Sequence, residues 1–406
     1  MQNIPSISLD LIQTVGLAAF MYWIGILVRR KINFIDKLNI PAAVIGGLIF
    51  ANINLFLRDR IINITFNTSM QQLLMIAFFA TIGISASVPL LKKGGVQVII
   101  FLFVSTIFCF LQNFIGMGVA RFFGVNELLG VIAGSVTLVG GPATGMAFAP
   151  IFESMGVVGA GTIAITAATF GIVCGGIIGG PIGTRLISKY KLATVKHNLS
   201  KEATEEISEH ESYFKIETEK EDSALLKTIL LLGVVMAVGS VVSFYFQSLG
   251  LTLPAYIGAM IVASVVRNID DTKKIFNINL KGMDIVGTIS LNIFLVVALM
   301  DLKLWELVHL ALPLTVILVA QTLTVAIFVF FILFYIMGRD YDSAVISSGF
   351  VGFVLGTTAN AVANMKTLVS KYGASPKAFL IVPMVGAFFI DFTNALIITY
   401  FLNLFK

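Results

Sequence analysis

Ten long apolar stretches dominate this chain of 406 residues. A helix needs about 20 mainly apolar residues to cross a hydrocarbon core roughly 30 Å thick. The chain is 57% hydrophobic and 12% charged, with a mean hydropathy of +0.96, whereas soluble domains are about 25% charged. We therefore predict an all-α polytopic membrane protein with about ten transmembrane helices, near 8–28, 41–57, 69–90, 96–120, 156–180, 224–248, 252–269, 283–300, 308–337 and 378–402.

Two further apolar segments are interrupted by glycines and small polar residues. The first, about 127–151, contains Val139-Gly140-Gly141-Pro142-Ala143-Thr144-Gly145, and the second, about 343–367, contains Gly356-Thr357-Thr358-Ala359-Asn360. A broken helix is tolerated at membrane depth only where it is buried in protein or lines a cavity. Paired interruptions in two halves of a chain point to the binding site of a secondary transporter. We predict that each segment is a re-entrant hairpin.

The two halves of the chain repeat one another. Gly140 and Gly352 are 212 positions apart, and the Pro-Ala pairs that begin at Pro41 and Pro254 are 213 positions apart. A nearly constant offset indicates a duplicated unit. Because five is an odd number of spans, the second copy starts on the opposite side of the membrane and has the inverted orientation. The predicted organisation is an N-terminal inverted repeat at 1–184, a cytoplasmic linker rich in Lys and Glu at 185–222, and a C-terminal inverted repeat at 223–406.

The basic residues support this topology. With both termini outside, the cytoplasmic loops contain all of the 27 basic residues except Arg58, Arg60, Arg121, Lys303 and Lys406, as the positive-inside rule expects. The first hairpin then enters from outside, the second enters from the cytoplasm, and their tips meet near the midplane. The first apolar stretch has full length and no basic residue before it, so we expect a span there and not a cleaved signal peptide.

An anionic substrate would have to be bound without basic side chains, because no Lys or Arg lies in the interior of a predicted span. Half-helix N-termini can do this with free N–H groups and a partial positive charge. The candidate substrate-binding residues in the hairpins are Gly140, Gly141, Thr144, Gly145, Gly356, Thr357, Thr358 and Asn360. On the fifth span, Thr166 and Thr169 extend a hydroxyl stripe that begins at Thr162. The alternatives are close helix packing for the glycines and bonds to their own helix for the threonines.

One carboxylate, Asp391, lies well inside a predicted span, with Asn394 three residues later on the same helix face. Buried carboxylates are costly and mark functional pathways, and carboxylate and amide oxygens suit a hard cation. We predict that Asp391 and Asn394 bind Na⁺. The alternatives are a proton carrier and a structural hydrogen-bond acceptor with a raised pKa. Cysteine and histidine spacing predicts neither a disulfide framework nor a metal cluster, so no cofactor is expected beyond the coupling ion.

The chain resembles the bacterial sodium/glutamate symporter family. The residues that carry the resemblance are Gly140-Gly141 with Thr144-Gly145, Thr169-Phe170-Gly171 to Gly179-Gly180-Pro181, Met300 to Leu307, Ala361-Val362-Ala363-Asn364-Met365, and Val382 to Asp391. The resemblance implies Na⁺-coupled uptake of glutamate through two inverted five-span domains, with pore-loop hairpins at the site and Asn364 among the binding residues. It also implies a homodimer in the bacterial inner membrane and an elevator-like movement of one domain.

The chain departs from the family pattern at the hairpins, in Pro142-Ala143, Phe350-Val351 and Thr357-Thr358-Ala359-Asn360. These departures leave another small amino acid or carboxylate open as substrate, and an H⁺-coupled carrier or a channel on the same frame is the alternative transport mode. An enzyme is not expected, because an intramembrane protease would need a second buried acid or a His beside a buried Ser. Direct use of ATP would need a Gly-Lys-Ser/Thr loop, which the sequence does not contain.

Overall fold

The structure, a computed structural model, describes residues 4–192, 221–249, 254–304 and 310–405. Its elements up to residue 190 are β1 (Ser6–Leu9), α1 (Leu11–Lys31), α2 (Asn33–Lys37), α3 (Ala42–Leu57), β2 (Asn63–Phe66), α4 (Ser69–Ser85), α5 (Val88–Lys93), α6 (Gly95–Phe122), α7 (Leu128–Val131), α8 (Gly141–Ser154) and α9 (Ala160–Tyr190). The later elements are α10 (Glu221–Ser248), α11 (Ala255–Lys273), α12 (Leu280–Met300), α13 (Ala311–Phe328), α14 (Phe334–Ile336), α15 (Tyr341–Leu355), α16 (Thr358–Tyr372), α17 (Pro376–Met384) and α18 (Ile390–Leu404).

Six helices in the described ranges are long and apolar enough to cross a membrane, namely Leu11–Lys31, Gly95–Phe122, Ala160–Tyr190, Leu225–Ser248, Leu280–Met300 and Ala311–Ile336. With the shorter apolar helices they make a mostly helical, multi-span membrane protein, as the sequence predicts. The third predicted span is shorter than expected, because the chain leaves the helix after Ser85 and the Ser87 hydroxyl caps α5. Residues 193–220 of the predicted linker lie outside the described residues, and α9 continues as far as Tyr190.

A small parallel sheet was not part of the predicted all-α fold. Strands β1 and β2 pair from Ser6 opposite Asn63 to Leu9 opposite Phe66. Both strands have only four residues, so their alternation of polar and apolar side chains is too short to distinguish from a loop by sequence. The pairing ties the start of the chain to the connection between α3 and α4.

Helical turns of the π type interrupt three helices. They span Ile132–Val136 after α7, Val329–Leu333 between α13 and α14, and Val385–Phe389 between α17 and α18. The last predicted span is therefore two helical pieces joined by a π turn and not one regular helix. Such turns are rare and often occur at functional sites, and the turn at Val385–Phe389 directly precedes Asp391.

The helices pack as two bundles. The first contains α1, α3 and α4 together with α10, α11 and α12, and the second contains α6 to α9 and α13 to α18. Both halves of the chain therefore contribute to each bundle. In the first bundle, Gly46 of α3 lies against the Met21 carbonyl of α1, and Gly258 of α11 lies against the Gly239 carbonyl of α10. Gly46 and Gly258 are 212 positions apart in sequence. In both crossings a glycine allows a main-chain carbonyl of the neighbouring helix to approach closely.

In the second bundle, α9 presents a face of glycines to the second broken segment. Gly171, Gly175, Gly179 and Gly183 recur every fourth residue and therefore lie on one side of the helix. A Cβ at Gly171 would overlap the Leu355 carbonyl, and one at Gly179 would overlap the Asn364 amide. We name this face the glycine seam. It allows α15 and α16 to approach the α9 backbone closely, as small residues do between membrane helices.

Candidate functional site

Both interrupted segments are broken helices in the structure. In the first, Gly134 has non-helical angles (φ −105, ψ −129), and after a short helical stretch the chain turns at residues 139–140 before α8 begins at Gly141, which has a positive φ of 67°. In the second, α15 ends at the buried Gly356 (φ −144, ψ −101), and the extended Thr357 (φ −146, ψ 164) caps α16. Each break leaves main-chain groups without their helical partners, and side chains of other helices bind several of these groups.

At the first break, side chains of two other helices bind the main-chain N–H and carbonyl groups of Ser135. The Oδ1 atom of Asn113, on α6, accepts a hydrogen bond from the Ser135 N–H at 2.9 Å. The Nδ2 of Asn394, on α18, donates to the Ser135 carbonyl oxygen at 2.8 Å. The same oxygen also accepts from the N–H groups of Val139 and Gly140, at 3.3 and 3.1 Å. Side chains from two other helices therefore fix the path of the chain at this break.

The residue before Asn113 reaches the second break. Gln112 donates from Nε2 to the carbonyl oxygen of Val354, in the last turn of α15, at 3.0 Å. Its own main-chain oxygen accepts from Nε2 of Gln321, on α13, at 2.6 Å. Gln112 and Asn113 are both completely buried. One turn of α6 therefore connects the two breaks through neighbouring amide side chains.

Two asparagines bind the second break to the glycine seam. Nδ2 of Asn360 donates to the Ile172 carbonyl oxygen at 2.7 Å, and Nδ2 of Asn364 donates to the Gly175 carbonyl oxygen at 2.8 Å. The Thr357 hydroxyl accepts from the Asn360 N–H at 3.4 Å, which caps α16. The structure thus brings three of the predicted residues together, and it assigns Asn360 and Asn364 a definite contact with α9.

The predicted residues of the first break surround the start of α8. Gly140 is partly exposed, and Gly141, Thr144 and Gly145 are buried. A Cβ at Gly140 would press on the Thr144 side chain at 2.5 Å, and one at Gly145 would meet Ala164 of α9 at 3.0 Å. Gly140 and Gly145 therefore have a packing role, whereas a Cβ at Gly141 would meet nothing within 4 Å.

The threonines differ in their bonding. Thr166 is exposed, and its hydroxyl donates to the Thr162 carbonyl of its own helix at 2.8 Å, which is the backbone role weighed as an alternative. The Thr169 hydroxyl is buried and has no hydrogen-bond partner among the described residues. Thr357 and Thr358 are both half-buried at the second break.

Asp391 lies in the first turn of α18, directly after the π turn. Its side chain is half-buried and close enough to Cys109 of α6 to interact electrostatically. Within the described ranges it forms no hydrogen bond or ion pair. Asn394 is completely buried three residues later, where it binds Ser135. The predicted pair therefore lies beside the first break, and Asn394 is the member that contacts it.

Several polar atoms around the breaks are buried and have no hydrogen-bond partner in the described part of the chain. Such atoms are uncommon in native proteins and mark strain or a place for a ligand. An oxygen among them can coordinate a cation, and a nitrogen or hydroxyl can donate to an anion. They are Oε1 of Gln112, Nδ2 of Asn113, Oγ of Ser135, Oγ1 of Thr169, Oε1 of Gln321, Oγ of Ser347, Oδ1 of Asn360 and Oδ1 of Asn394.

Five of these residues, Gln112, Asn113, Ser135, Gln321 and Ser347, were absent from the predicted site. The sequence contains a signal for three of them, because uncharged amides interrupt otherwise apolar spans at Gln112-Asn113 and at Gln321. Polar side chains inside membrane helices usually bond to a neighbouring helix. Their partners lie more than a hundred positions away, except for the contact of Asn113 with Ser135.

A cavity of about 150 Å³ lies between the two bundles, away from the breaks. Its lining includes Glu153 at the end of α8, Thr162 at the start of α9, and Asp301 and Lys303 after α12. The Thr162 hydroxyl donates to the Lys303 carbonyl oxygen at 3.2 Å. Burial raises the pKa of Asp301, Lys303 acts in the opposite direction, and Glu153 adds to the increase.

Comparison with known proteins connects the chain to one group of transporters. The family described as sodium/glutamate symporter matches residues 7–374. A sodium/glutamate symporter of Haemophilus influenzae is 39% identical over 386 residues, which cover 94% of this chain and 95% of the relative. The sodium/glutamate symporters of Escherichia coli and Shigella flexneri are each 38% identical over 405 residues, 98% of both chains. Their names describe transporters and not enzymes.

Proposed function

Because the chain belongs to the sodium/glutamate symporter family, we propose that it is a secondary transporter that couples Na⁺ entry to uptake of glutamate or a closely related anionic substrate. The observation that carries the proposal is the pair of broken helices, connected through Gln112 and Asn113 and surrounded by unpaired buried polar atoms. A transporter needs such a place, where a ligand can replace missing hydrogen bonds at membrane depth.

The two breaks supply donors for the carboxylates of the substrate. Helix α8 begins at Gly141, and since Pro142 has no N–H, the donors of its first turn are Gly141 and Ala143. Helix α16 begins at Thr358, next to Ala359, and the Asn360 N–H already binds Thr357. In our proposal the substrate is bound by these helix starts and by the hydroxyls of Thr144, Thr357 and Thr358, with the partial positive charge of both helices.

The Na⁺ site in this proposal lies beside the first break. Asn394 Oδ1 and Ser135 Oγ are buried oxygens without a hydrogen-bond partner among the described residues, and the two residues are already hydrogen-bonded to each other. Asp391 supplies the negative charge one helical turn earlier. Carbonyl, hydroxyl and carboxylate oxygens are the ligand type that hard cations prefer. Coupling follows because Ser135 lies in the break that also receives the substrate, so each ligand stabilises the same arrangement of the chain.

We further propose inverted repeats, re-entrant hairpins and an elevator-like movement. The matched glycine crossings at Gly46 and Gly258 support duplication. Both breaks lie in the second bundle, which can carry the bound ligands as one body past the first bundle. The protein would be a homodimer in the bacterial inner membrane, with both termini outside. A disulfide between cysteines placed at Thr162 and Lys303, which touch across the bundles, should stop transport reversibly. Full uptake in the cross-linked protein would refute the movement.

Reconstitution tests the function directly. We expect purified protein in liposomes to accumulate radiolabelled glutamate under an inward Na⁺ gradient, with saturation and without accumulation of neutral amino acids. Uptake driven by an H⁺ gradient in the absence of Na⁺ would establish the H⁺-coupled alternative instead. Flux that does not saturate would identify a channel. Exclusive uptake of another amino acid or carboxylate would show that this compound, and not glutamate, is the substrate.

A further inference from the structure

The ends of α9 and α14 meet at a pair of tyrosines. The hydroxyls of Tyr190 and Tyr335 are 2.7 Å apart and share a hydrogen bond. The Tyr190 ring stacks on Phe334, with ring centroids 4.9 Å apart and an interplanar angle of 23°. One hydroxyl donates to the other, so the accepting tyrosine keeps its own O–H for another partner. We name Tyr190 and Tyr335 the tyrosine pair.

Cations surround the tyrosine pair. The Arg339 guanidinium carbon is 5.3 Å from both ring centroids, and the Lys189 Nζ is 5.3 Å from the Tyr190 ring centroid. Gly338 and Arg339 have positive φ angles of 118° and 57°, and this tight turn places the arginine back over the rings. Arg185 lies one turn before Lys189 on the same helix, and both residues are exposed and line an open groove.

No acid neutralises these cations within the described ranges. The four ion pairs found there all involve other residues. Asp340 is the neighbour of Arg339, but its carboxylate accepts from the N–H and the hydroxyl of Ser343, at 2.7 and 2.6 Å, and caps α15. Part of the charge opposes the partial negative charge of the two helix ends. Three full positive charges nevertheless exceed what two helix ends contribute, so this surface carries a net positive charge that attracts an anion.

The apolar surface beside the cations indicates where that anion comes from. Four large side chains directly before Arg339 are exposed, namely Phe331, Ile332, Tyr335 and Ile336. They belong to a helix that is long and apolar enough to cross the membrane, so lipid chains cover them. The cations therefore lie at the depth of the lipid headgroups, where tyrosines are enriched. Basic pockets between membrane helices bind anionic headgroups at this depth.

We propose that Arg339, Lys189 and Arg185, with the tyrosine pair, bind the phosphate of an anionic phospholipid whose acyl chain lies along Phe331 and Ile332. Arginine offers the phosphate two parallel N–H donors, and the free tyrosine O–H adds a third. The bound lipid would join the end of α9 to the turn that leads into α15, next to the glycine seam. This site is independent of the proposed transport function, since it uses none of the residues at the breaks.

Native mass spectrometry of the full-length protein in detergent tests the site. The probes are dioleoyl phosphatidylglycerol, dioleoyl phosphatidylcholine and soluble glycerol 3-phosphate. We expect Arg339→Gln, and separately Lys189→Gln, to weaken phosphatidylglycerol binding about fivefold and to leave phosphatidylcholine binding unchanged. The matched control is Lys371→Gln, because Lys371 also lies over a tyrosine ring, at 5.0 Å from the Tyr372 centroid, and is not part of the proposed site. Monodispersity and helix content establish that each variant is folded.

Three results would overturn the proposal. Equal loss of phosphatidylglycerol in Lys371→Gln would mean that total charge, and not this site, attracts the lipid. Glycerol 3-phosphate binding as tightly as phosphatidylglycerol would identify a site for a soluble anion. Equal affinity of the wild-type protein for the two lipids would mean that another group, for example an acidic segment of the chain, already neutralises the cations.

Discussion

Asn394 donates from Nδ2 to the carbonyl oxygen of Ser135 at 2.8 Å, although the two residues are 259 positions apart. The contact fastens the last helix to the first break and leaves the other atom of the same amide, Oδ1, buried and unpaired among the described residues. The amide thus has one atom used for structure and one available for a ligand. Substitution of Asn394 tests this division of roles.

Asn394→Ala removes the unpaired oxygen and one of the three donors to the Ser135 carbonyl. Because a proposed Na⁺ ligand is lost, we expect the Na⁺ concentration for half-maximal uptake to rise about tenfold, equivalent to ~1.4 kcal/mol. The measurement is uptake in liposomes across a Na⁺ titration. Asn403→Ala is the control, since Asn403 donates to Thr399 of its own helix. A curve that is the same for wild type and Asn394→Ala would exclude Asn394 as an ion ligand.

Asp391→Asn preserves size and one carbonyl oxygen but removes the charge. If Asp391 coordinates Na⁺, half-maximal Na⁺ should rise tenfold or more, and apparent glutamate affinity should recover as Na⁺ is raised, because the two ligands are linked. A proton carrier would instead lose pH-driven uptake without rescue by Na⁺. A structural acceptor would give a poorly folded variant whose remaining activity keeps the wild-type Na⁺ dependence. The same titration therefore separates the three roles.

Gly179→Ala should break the glycine seam. Its Cβ would overlap the Asn364 amide, so the hydrogen bond from Asn364 to Gly175 would be lost and α16 displaced. We expect uptake at least tenfold below wild type and a lower melting temperature. The neighbouring Gly180→Ala is the matched control, because its Cβ would lie 3.9 Å from Thr367 in ordinary contact. Equal effects of the two substitutions would mean that helix propensity and not the seam is responsible.

Asp301 predicts a pH dependence of stability. Burial, the largest cause, raises the pKa of this carboxyl in the folded protein above its unfolded value. The folded state therefore binds more protons between the two pKa values, and the contribution of this group to stability falls as pH rises through that window. Asp301→Asn should flatten the decline of melting temperature from pH 4 upward. An unaltered slope in Asp301→Asn would contradict the assignment.

Thiol labelling tests the proposed orientation. In a Cys174→Ser background, where the remaining Cys109 is buried, cysteines at the exposed positions Asn126 and Lys274 should react from opposite sides. We expect an impermeant maleimide added outside to label Asn126→Cys and not Lys274→Cys. Labelling of both from one side would rule out the inverted arrangement.

Composition and hydrophobic patterning are enough to predict a multi-span helical protein with two broken segments, because the length of a membrane helix and the cost of breaking it are local properties. The structure confirms a multi-span helical protein, and α6 and α12 lie within three residues of their predicted bounds. The contacts of Gln112 could not be predicted in this way, since its partners at Val354 and Gln321 are set by how distant helices pack. The sheet was also missed, because four-residue strands have no periodicity long enough to detect.

Helix α9 is synthesised long before the two helices that pack against its glycine seam. The four glycines of the glycine seam are made about 160 residues before α15 and α16, which cover them. During that interval the nascent helix exposes bare backbone to the bilayer, and the Ile172 and Gly175 carbonyls lack the asparagines that later bind them. The first bundle is also incomplete for part of synthesis, because α1, α3 and α4 are made before α10 to α12 have left the ribosome. The first bundle is therefore complete by residue 300, and a chain truncated just before residue 341 would contain that bundle but would leave the glycine seam of α9 uncovered.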